Sequence, residues 1–334
     1  MFQKQPSILK AGRLMTVREI AKKAGVSPAT VSRVFGHHPN VSDEVRDRVL
    51  AIAKHHDYQP RLSGRQRNVV IILPGDAIYP IRNCLEMVMM ALTQVLPGRK
   101  FRIEILPQDN LDRLSSVQFC GAIAIGAEPD DFRNWPRLHT APLIFVDRDT
   151  PNGNKSIYSV RSDETQGMEL AIGHLHERGC RKIGCIIHGE PGTGNADERR
   201  NAVIAALKSH GLPAYNPLIH LAADDHYVER IGKLLQQEID GLFCPGGNAG
   251  IIAAYALSLF NKRIPNDIAL IASEYKFYSC YATPPQTTIT QDHTALAEVV
   301  ADILEHHQTE SPYPQKTILP YNLIIRDSVG YADM

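Results

Sequence analysis

From residue 69 to residue 272 short apolar runs alternate with helix-length amphipathic segments, and this restricts the fold more than any other feature of the 334 residues. Strand-like runs fall at 69–73, 101–106, 121–125, 142–146, 182–187, 217–221, 240–244 and 268–272. Helical spacing marks 80–96, 110–117, 163–178, 196–210, 225–237 and 248–261. The first run, Val69–Leu73, is apolar without a polar alternate, as in a strand buried on both faces. Strands separated by helices predict an α/β chain of parallel sheets covered on both faces. Two such units fit, meeting near residue 160. The sequence contains neither an internal repeat nor a low-complexity segment.

A different pattern precedes them. Residues 16–36 read TVREIAKKAGVSPATVSRVFG, two short amphipathic helices broken by one glycine. Thr16 and Glu19 form a capping-box pair, and Val17, Ile20, Ala21 and Ala24 face inward at helical spacing. Gly25 supplies the left-handed residue that ends the helix. Ser27 caps the second helix, whose first position is Pro28, where a missing N–H costs nothing. Val31 and Val34 point back, leaving Pro28, Ala29, Thr30, Ser32 and Arg33 outside. A helix pair of this kind, with a small and basic second helix, can enter a DNA major groove, although glycine-broken helix pairs also occur as plain hairpins. A third helix is expected from about Ser42 to His56, stopped by Pro60.

Charge is distributed unevenly. Residues 1–68 hold 13 Lys/Arg against 5 Asp/Glu, whereas residues 69–334 hold 23 against 31, so a basic module precedes an acidic body within a chain of zero net charge. That asymmetry suits a nucleic-acid-binding head. No apolar run approaches the roughly 18 residues of a membrane span, and the N-terminus lacks an apolar signal core, so a cytoplasmic protein is expected. Six cysteines, at 84, 120, 180, 185, 244 and 280, show no metal or CxxC spacing and read as small buried hydrophobes. The glycine-rich GEPGTGN (189–195) lacks a phosphate-loop Lys-Ser/Thr, the His pairs at 37–38, 55–56 and 306–307 are poorly spaced for a metal, and there is no GxSxG. No enzyme activity, cofactor or metal is therefore expected.

TVREIAKKAGVSPATVSRVF resembles the DNA-binding headpiece of the LacI/GalR family of bacterial transcriptional regulators almost position for position. The following VSDEVRDRVLAIAKHHDYQP resembles its third helix and Tyr-x-Pro ending, here Tyr58 and Pro60. PLIFVDRD (142–149), VRSDETQG (160–167), HLHERGCRKIGCI (174–186), PPQTTITQD (284–292) and LIIRDS (323–328) extend the resemblance through the body. It implies a helix-turn-helix headpiece on a periplasmic-binding-protein-like body of two Rossmann-like subdomains, crossed three times, near 158–163, 288–292 and 319–323. The implied boundaries are an extension at 1–14, a headpiece at 15–60 and a basic linker at 61–68. One subdomain then comprises 69–158 plus about 292–320, and the other 159–291 plus about 321–330.

The resemblance further implies a homodimeric repressor, with operator DNA and a small-molecule effector, a sugar or related metabolite, as partners. Apolar residues in 84–96 and the helix at 248–261 are the expected dimer contacts. A solute receptor without DNA function, or a regulator whose cleft has lost small-molecule control, are the alternative readings. For DNA the candidates are Thr16, Ser27, Pro28, Ala29, Thr30, Ser32, Arg33, Tyr58 and Leu62. Arg33 is placed to read a guanine, and Leu62 is the candidate minor-groove wedge. The linker is shorter than the family's, and Gly64 opposes a hinge helix there. For the effector, position along the strands and motifs suggests Tyr79, Arg148, Asp149, Asp163, Arg199 in RRNAV, and Glu274. Two departures stand out: Gly246-Gly247 replaces an Asn-Asp pair, and Ala272-Ser273-Glu274 replaces "GFD".

Overall fold

The structure is a computed structural model. It describes residues 15–35, 41–56, 58, 67–74, 83–135, 141–150, 154–309 and 311–330. Leu62, Gly64 and Tyr79, the extension at 1–14 and most of the linker lie outside these.

Three helices form the N-terminal module: α1 (Val17–Ala24), α2 (Pro28–Phe35) and α3 (Asp43–His55). Thr16 and Glu19 complete the capping box of α1, and Gly25 ends that helix at φ 66°. Ser42 caps α3 by accepting from the Val45 N–H. Ile20, Ala21, Ala24, Val31, Val34, Phe35, Val49 and Ala53 build a core from all three helices. Tyr58 closes it, its ring edge-on to Phe35 at 5.9 Å.

The body begins with β1 (Asn68–Leu73), α4 (Asn83–Gly98), β2 (Arg102–Pro107), β3 (Gly121–Ile125), β4 (Leu143–Val146) and β5 (Ile157–Ser162). The chain continues with α5 (Glu164–Glu177), β6 (Ile183–His188), α6 (Ala196–Ser209), β7 (Ile219–Ala222), α7 (Tyr227–Leu235), β8 (Gly241–Cys244), α8 (Ala249–Leu259), β9 (Ala269–Ser273), α9 (Lys276–Tyr281) and β10 (Thr287–Gln291). Last come α10 (His293–Gln308), β11 (Lys316–Leu319) and β12 (Tyr321–Ile324). Two six-stranded sheets result, ordered β11-β5-β4-β3-β1-β2 and β12-β10-β9-β8-β6-β7. Pairing is parallel except between β10 and β12.

The chain therefore passes between units three times. β5, which straddles the expected boundary at 158, belongs wholly to the first sheet, and α5 packs on the second. β10 pairs in the second sheet, while α10 returns to cover the first beside α4. Finally β11 joins β5, and β12 joins β10. The segment at 110–117, expected as an α-helix, is a 3-10 helix over Gln108–Ser116 broken at Asn110. Its polar sequence provides little apolar surface to hold a longer helix on the sheet.

One expectation, burial of every cysteine, needs correction, and α4 divides its apolar residues between two surroundings. On α4, Val88, Ala91, Leu92, Val95 and Leu96 are buried within the first unit, against the sheet and α10, while Leu85, Met87 and Met89 stay half-buried. Met90 remains 60% exposed. Cys120, Cys180, Cys185 and Cys244 are buried, and burial pushes the thiols of the last three upward, but Cys280 is exposed.

Candidate DNA-binding face and effector cleft

The N-terminal module places the predicted DNA residues in two groups. Pro28, Ala29, Ser32 and Arg33 are exposed on one face of α2, with Thr30 half-buried at its edge. The Ser27 hydroxyl accepts from the Thr30 N–H at 3.0 Å and shares a hydrogen bond with the Thr30 hydroxyl. Ser32 is turned back onto the Pro28 carbonyl at 3.2 Å. Thr16 is exposed but engaged in its capping box. Tyr58 differs from expectation: it is 8% exposed, and burial raises its hydroxyl pKa, so its ring is part of the core under the helices. Arg33 has no ion pair or hydrogen bond with another described residue. It projects from a face of short side chains, so a flat groove edge could approach the helix closely.

Just after the linker, Arg67 fastens the chain to the body. Its guanidinium stacks over Phe101 at 4.2 Å, donates to the Arg99 carbonyl at 2.8 Å and pairs with Glu305 at 2.7 Å. Arg99 in turn pairs with Glu298, Asp302 and Glu305 along α10. The helix that begins at the second crossing thus ends at the anchor of the linker.

Side chains at and beyond the carboxyl ends of strands from both sheets meet where the units join, at Arg161–Glu198 and Gln291–Asp147, and this is where doubly wound folds usually hold a ligand in a cleft. Three predicted effector residues are committed to partners there. Arg199, in the first turn of α6, grips Glu164 with Nε and Nη2 at 2.9 and 2.7 Å. Glu164 is 1% exposed and also accepts from Asn195 and the Tyr321 hydroxyl. Burial works against the charged guanidinium, but the Glu164 carboxylate outweighs it and holds Arg199 well above its ordinary range. Arg148 donates to Glu128 at 3.0 Å and lies over the backbone of Gly194 in the second unit. Asp149 pairs with Lys316 at 2.7 Å, which overcomes partial burial and keeps its pKa low.

The remaining two have structural roles. Asp163 caps α5, accepting from the Gln166 N–H at 3.0 Å. Glu274 is 6% exposed and clamped by both terminal nitrogens of Arg326, at 3.0 and 3.1 Å, and by Thr288. It ties the strand end to LIIRDS.

Sequence reasoning missed the residues that join the units. Arg161 on β5 binds Glu198 on α6 through two nitrogens, at 2.7 and 2.8 Å. The Gln291 amide donates to Asp147 at 2.9 Å. Glu164 carries a signal of its own in the sequence, an acidic residue directly after the Asp163 cap in VRSDETQG. The Gly246-Gly247 departure has a physical reason. A Cβ on Gly246 would lie 2.7 Å from Nη1 of Arg199, and one on Gly247 would lie 2.7 Å from the His188 ring. Both glycines have positive φ, 87° and 52°, which also disfavours any side chain. Among the described residues no cluster of His, Cys, Asp or Glu could hold a metal ion, and no helix is long and apolar enough to cross a membrane.

Residues 16–61 match the family described as bacterial regulatory proteins, lacI family, and residues 172–329 match the periplasmic binding protein-like domain. The ribose operon repressor of Lactococcus lactis is 24% identical over 95% of this chain and 98% of its own. The HTH-type transcriptional repressor PurR of Haemophilus influenzae is 29% identical over 95% and 99%. Among solved structures, the lac repressor dimer bound to operator and the anti-inducer ONPF superposes with a TM-score of 0.66 at 18% identity, covering 95% of this chain and 100% of that one.

Proposed function

Because the chain belongs to the LacI family of bacterial regulatory proteins, and so is a DNA-binding transcriptional regulator, we propose that it is a cytoplasmic homodimeric repressor with an effector-controlled operator. The observation that carries the DNA reading is the outer face of α2, where Arg33 stands exposed among Pro28, Ala29 and Ser32. Arg33 reads a guanine edge, Pro28 and Ala29 make close apolar contact with base edges, and Thr16, Ser27, Thr30 and Ser32 position the helix on phosphates. Two copies present two such helices to half-sites about one helical turn apart, and so a near-palindromic operator.

A small metabolite held between the two units sets the distance between the headpieces. The polar cleft around Arg148, Asp149 and Arg199 supports this, together with α10, which runs from the Gln291 crossing to the Arg67 anchor. The test has two parts. Selection from random duplex DNA should recover an inverted repeat. Thermal melting against sugars and related metabolites should then find a ligand that changes affinity for that repeat. A ligand at 100 times its dissociation constant adds about 2.7 kcal/mol of stability. Failure of every ligand to alter melting or operator affinity would overturn the effector reading.

A further inference from the structure

We propose that Glu164 sets the ligand class of the cleft: it supplies from within the chain the anionic partner of Arg199 and so confines the site to uncharged ligands. The inference rests on the effector reading above. A guanidinium that donates two parallel N–H bonds to a carboxylate is the arrangement by which arginine holds an anionic ligand. Here both bonds end on Glu164, at 2.7 and 2.9 Å, inside the protein. Asn195 adds a third donor at 3.2 Å and the Tyr321 hydroxyl a fourth at 3.3 Å, so the two carboxylate oxygens are fully used. The remaining terminal nitrogen of Arg199 fits against Gly246, whose missing side chain makes its room.

The other cations of the cleft are likewise matched. Arg161 is held by Glu198, Arg148 by Glu128 and Lys316 by Asp149. An anion entering this site has no uncommitted cation among these to meet. To reach Arg199 it must displace Glu164 and strand a carboxylate that is 1% exposed, and an unpaired buried charge is strongly disfavoured. A hydroxylated neutral molecule leaves the pair intact and can hydrogen-bond to the groups around it. Glu164 thus selects by exclusion, through charge already present in the pocket.

Inorganic phosphate is the probe, with the full chain as wild type, Glu164→Gln and Glu164→Ala, at matched ionic strength. Glutamine keeps the volume and an acceptor oxygen but leaves Arg199 without an anion; alanine also opens space. Phosphate should raise the melting temperature of both variants and bind them roughly tenfold or more tightly than wild type. Adding Arg199→Ala to Glu164→Ala should remove the gain. Folded variants without a gain, or a wild type that binds phosphate equally well, overturn the proposal. If the variants do not fold, the wild type decides alone, since only uncharged members of a panel of sugars, nucleosides, sugar phosphates and sugar acids should shift its melting.

Operator gel shifts separate the two ideas. A phosphorylated or carboxylate ligand that controls operator binding by wild type refutes the role of Glu164 but leaves the effector reading standing. Phosphate capture by the variants without any ligand effect on wild-type operator binding does the reverse.

Discussion

Arg161 and Glu198 are bonded fork to fork across the cleft, the first on a strand of one sheet and the second in the first turn of a helix on the other. The pairing raises the Arg161 pKa, the hydrogen bonds to Glu198 being the main cause. It holds the two units together directly, supported by the Gln291 amide on Asp147. Glu198→Ala should widen the average separation of the units. Small-angle scattering should register a larger radius of gyration for the variant, and an identical value would show that the pair does not set closure.

For Arg33, Arg33→Ala should weaken operator binding by about 1–3 kcal/mol and relax preference at one base pair. Gel shifts on the operator and on single-base variants separate base reading from phosphate contact. An equal loss on every sequence would make Arg33 a phosphate contact.

Gly246 leaves the space that Arg199 fills. Gly246→Ala combines a strained φ of 87° with a Cβ 2.7 Å from the guanidinium. It should cost about 1–3 kcal/mol of stability in chemical denaturation. A neutral result would mean that Arg199 can leave its place without cost.

Acid should destabilise the second unit through His174. The imidazole is 6% exposed, and its Nε2 has no partner among the described residues. Burial first, then Arg178, lowers its pKa, while Glu177 opposes. The unfolded chain takes up this proton near pH 6.5 and the folded chain only at lower pH, so stability falls as pH drops below about 6.5. His220 and His293 are shifted downward by burial as well and add to the trend. The urea midpoint should fall between about pH 7.5 and 5.5, and His174→Gln should flatten that fall. Equal slopes would acquit His174.

For assembly, the surface points to α8 and α9. Tyr255 and Leu259 are 63% and 55% exposed, and Phe277 and Tyr281, both 76% exposed, sit with tilted rings 5.0 Å apart. Large apolar side chains exposed in groups mark interaction surfaces. Light scattering at micromolar concentration should give about twice the 37.1 kDa chain mass. Tyr281→Asp should lower it, whereas a wild-type mass near 37.1 kDa would exclude the dimer.

The fold class was legible because its signals are local. Val69–Leu73 and Gly241–Cys244 read as buried strands from their own residues, and the caps at Thr16, Ser27 and Ser42 from single side chains. Helix α10 and strands β10 to β12 are less legible because they follow the regular alternation and serve two sheets in turn. The charge pairs were not legible for a related reason. Arg161 and Glu198, or Asp147 and Gln291, are partners only after the chain has doubled back, and spacing along the sequence does not record that. Tyr58 was placed with the DNA residues by motif alone, although its ring packs on Phe35. Strand position alone marks Glu274 as a ligand candidate, and its pairing with Arg326, far along the chain, is not legible there.

The three passages between units also dictate the order in which the protein can be acquired during synthesis. The N-terminal module draws its core from residues 20 to 58, so it can fold while most of the polypeptide is still being made. Neither large unit can. The first sheet waits for β11 to close its edge against β5, and one of its faces is covered by α4 alone until α10 has been translated. The second sheet needs β12 from almost the last residues. A nascent chain stopped before residue 290 therefore carries a competent DNA-binding module tethered to two unfinished sheets with bare apolar surface. Such pairings across long sequence distances fold slowly, and so the regulator becomes controllable well after it can first hold DNA.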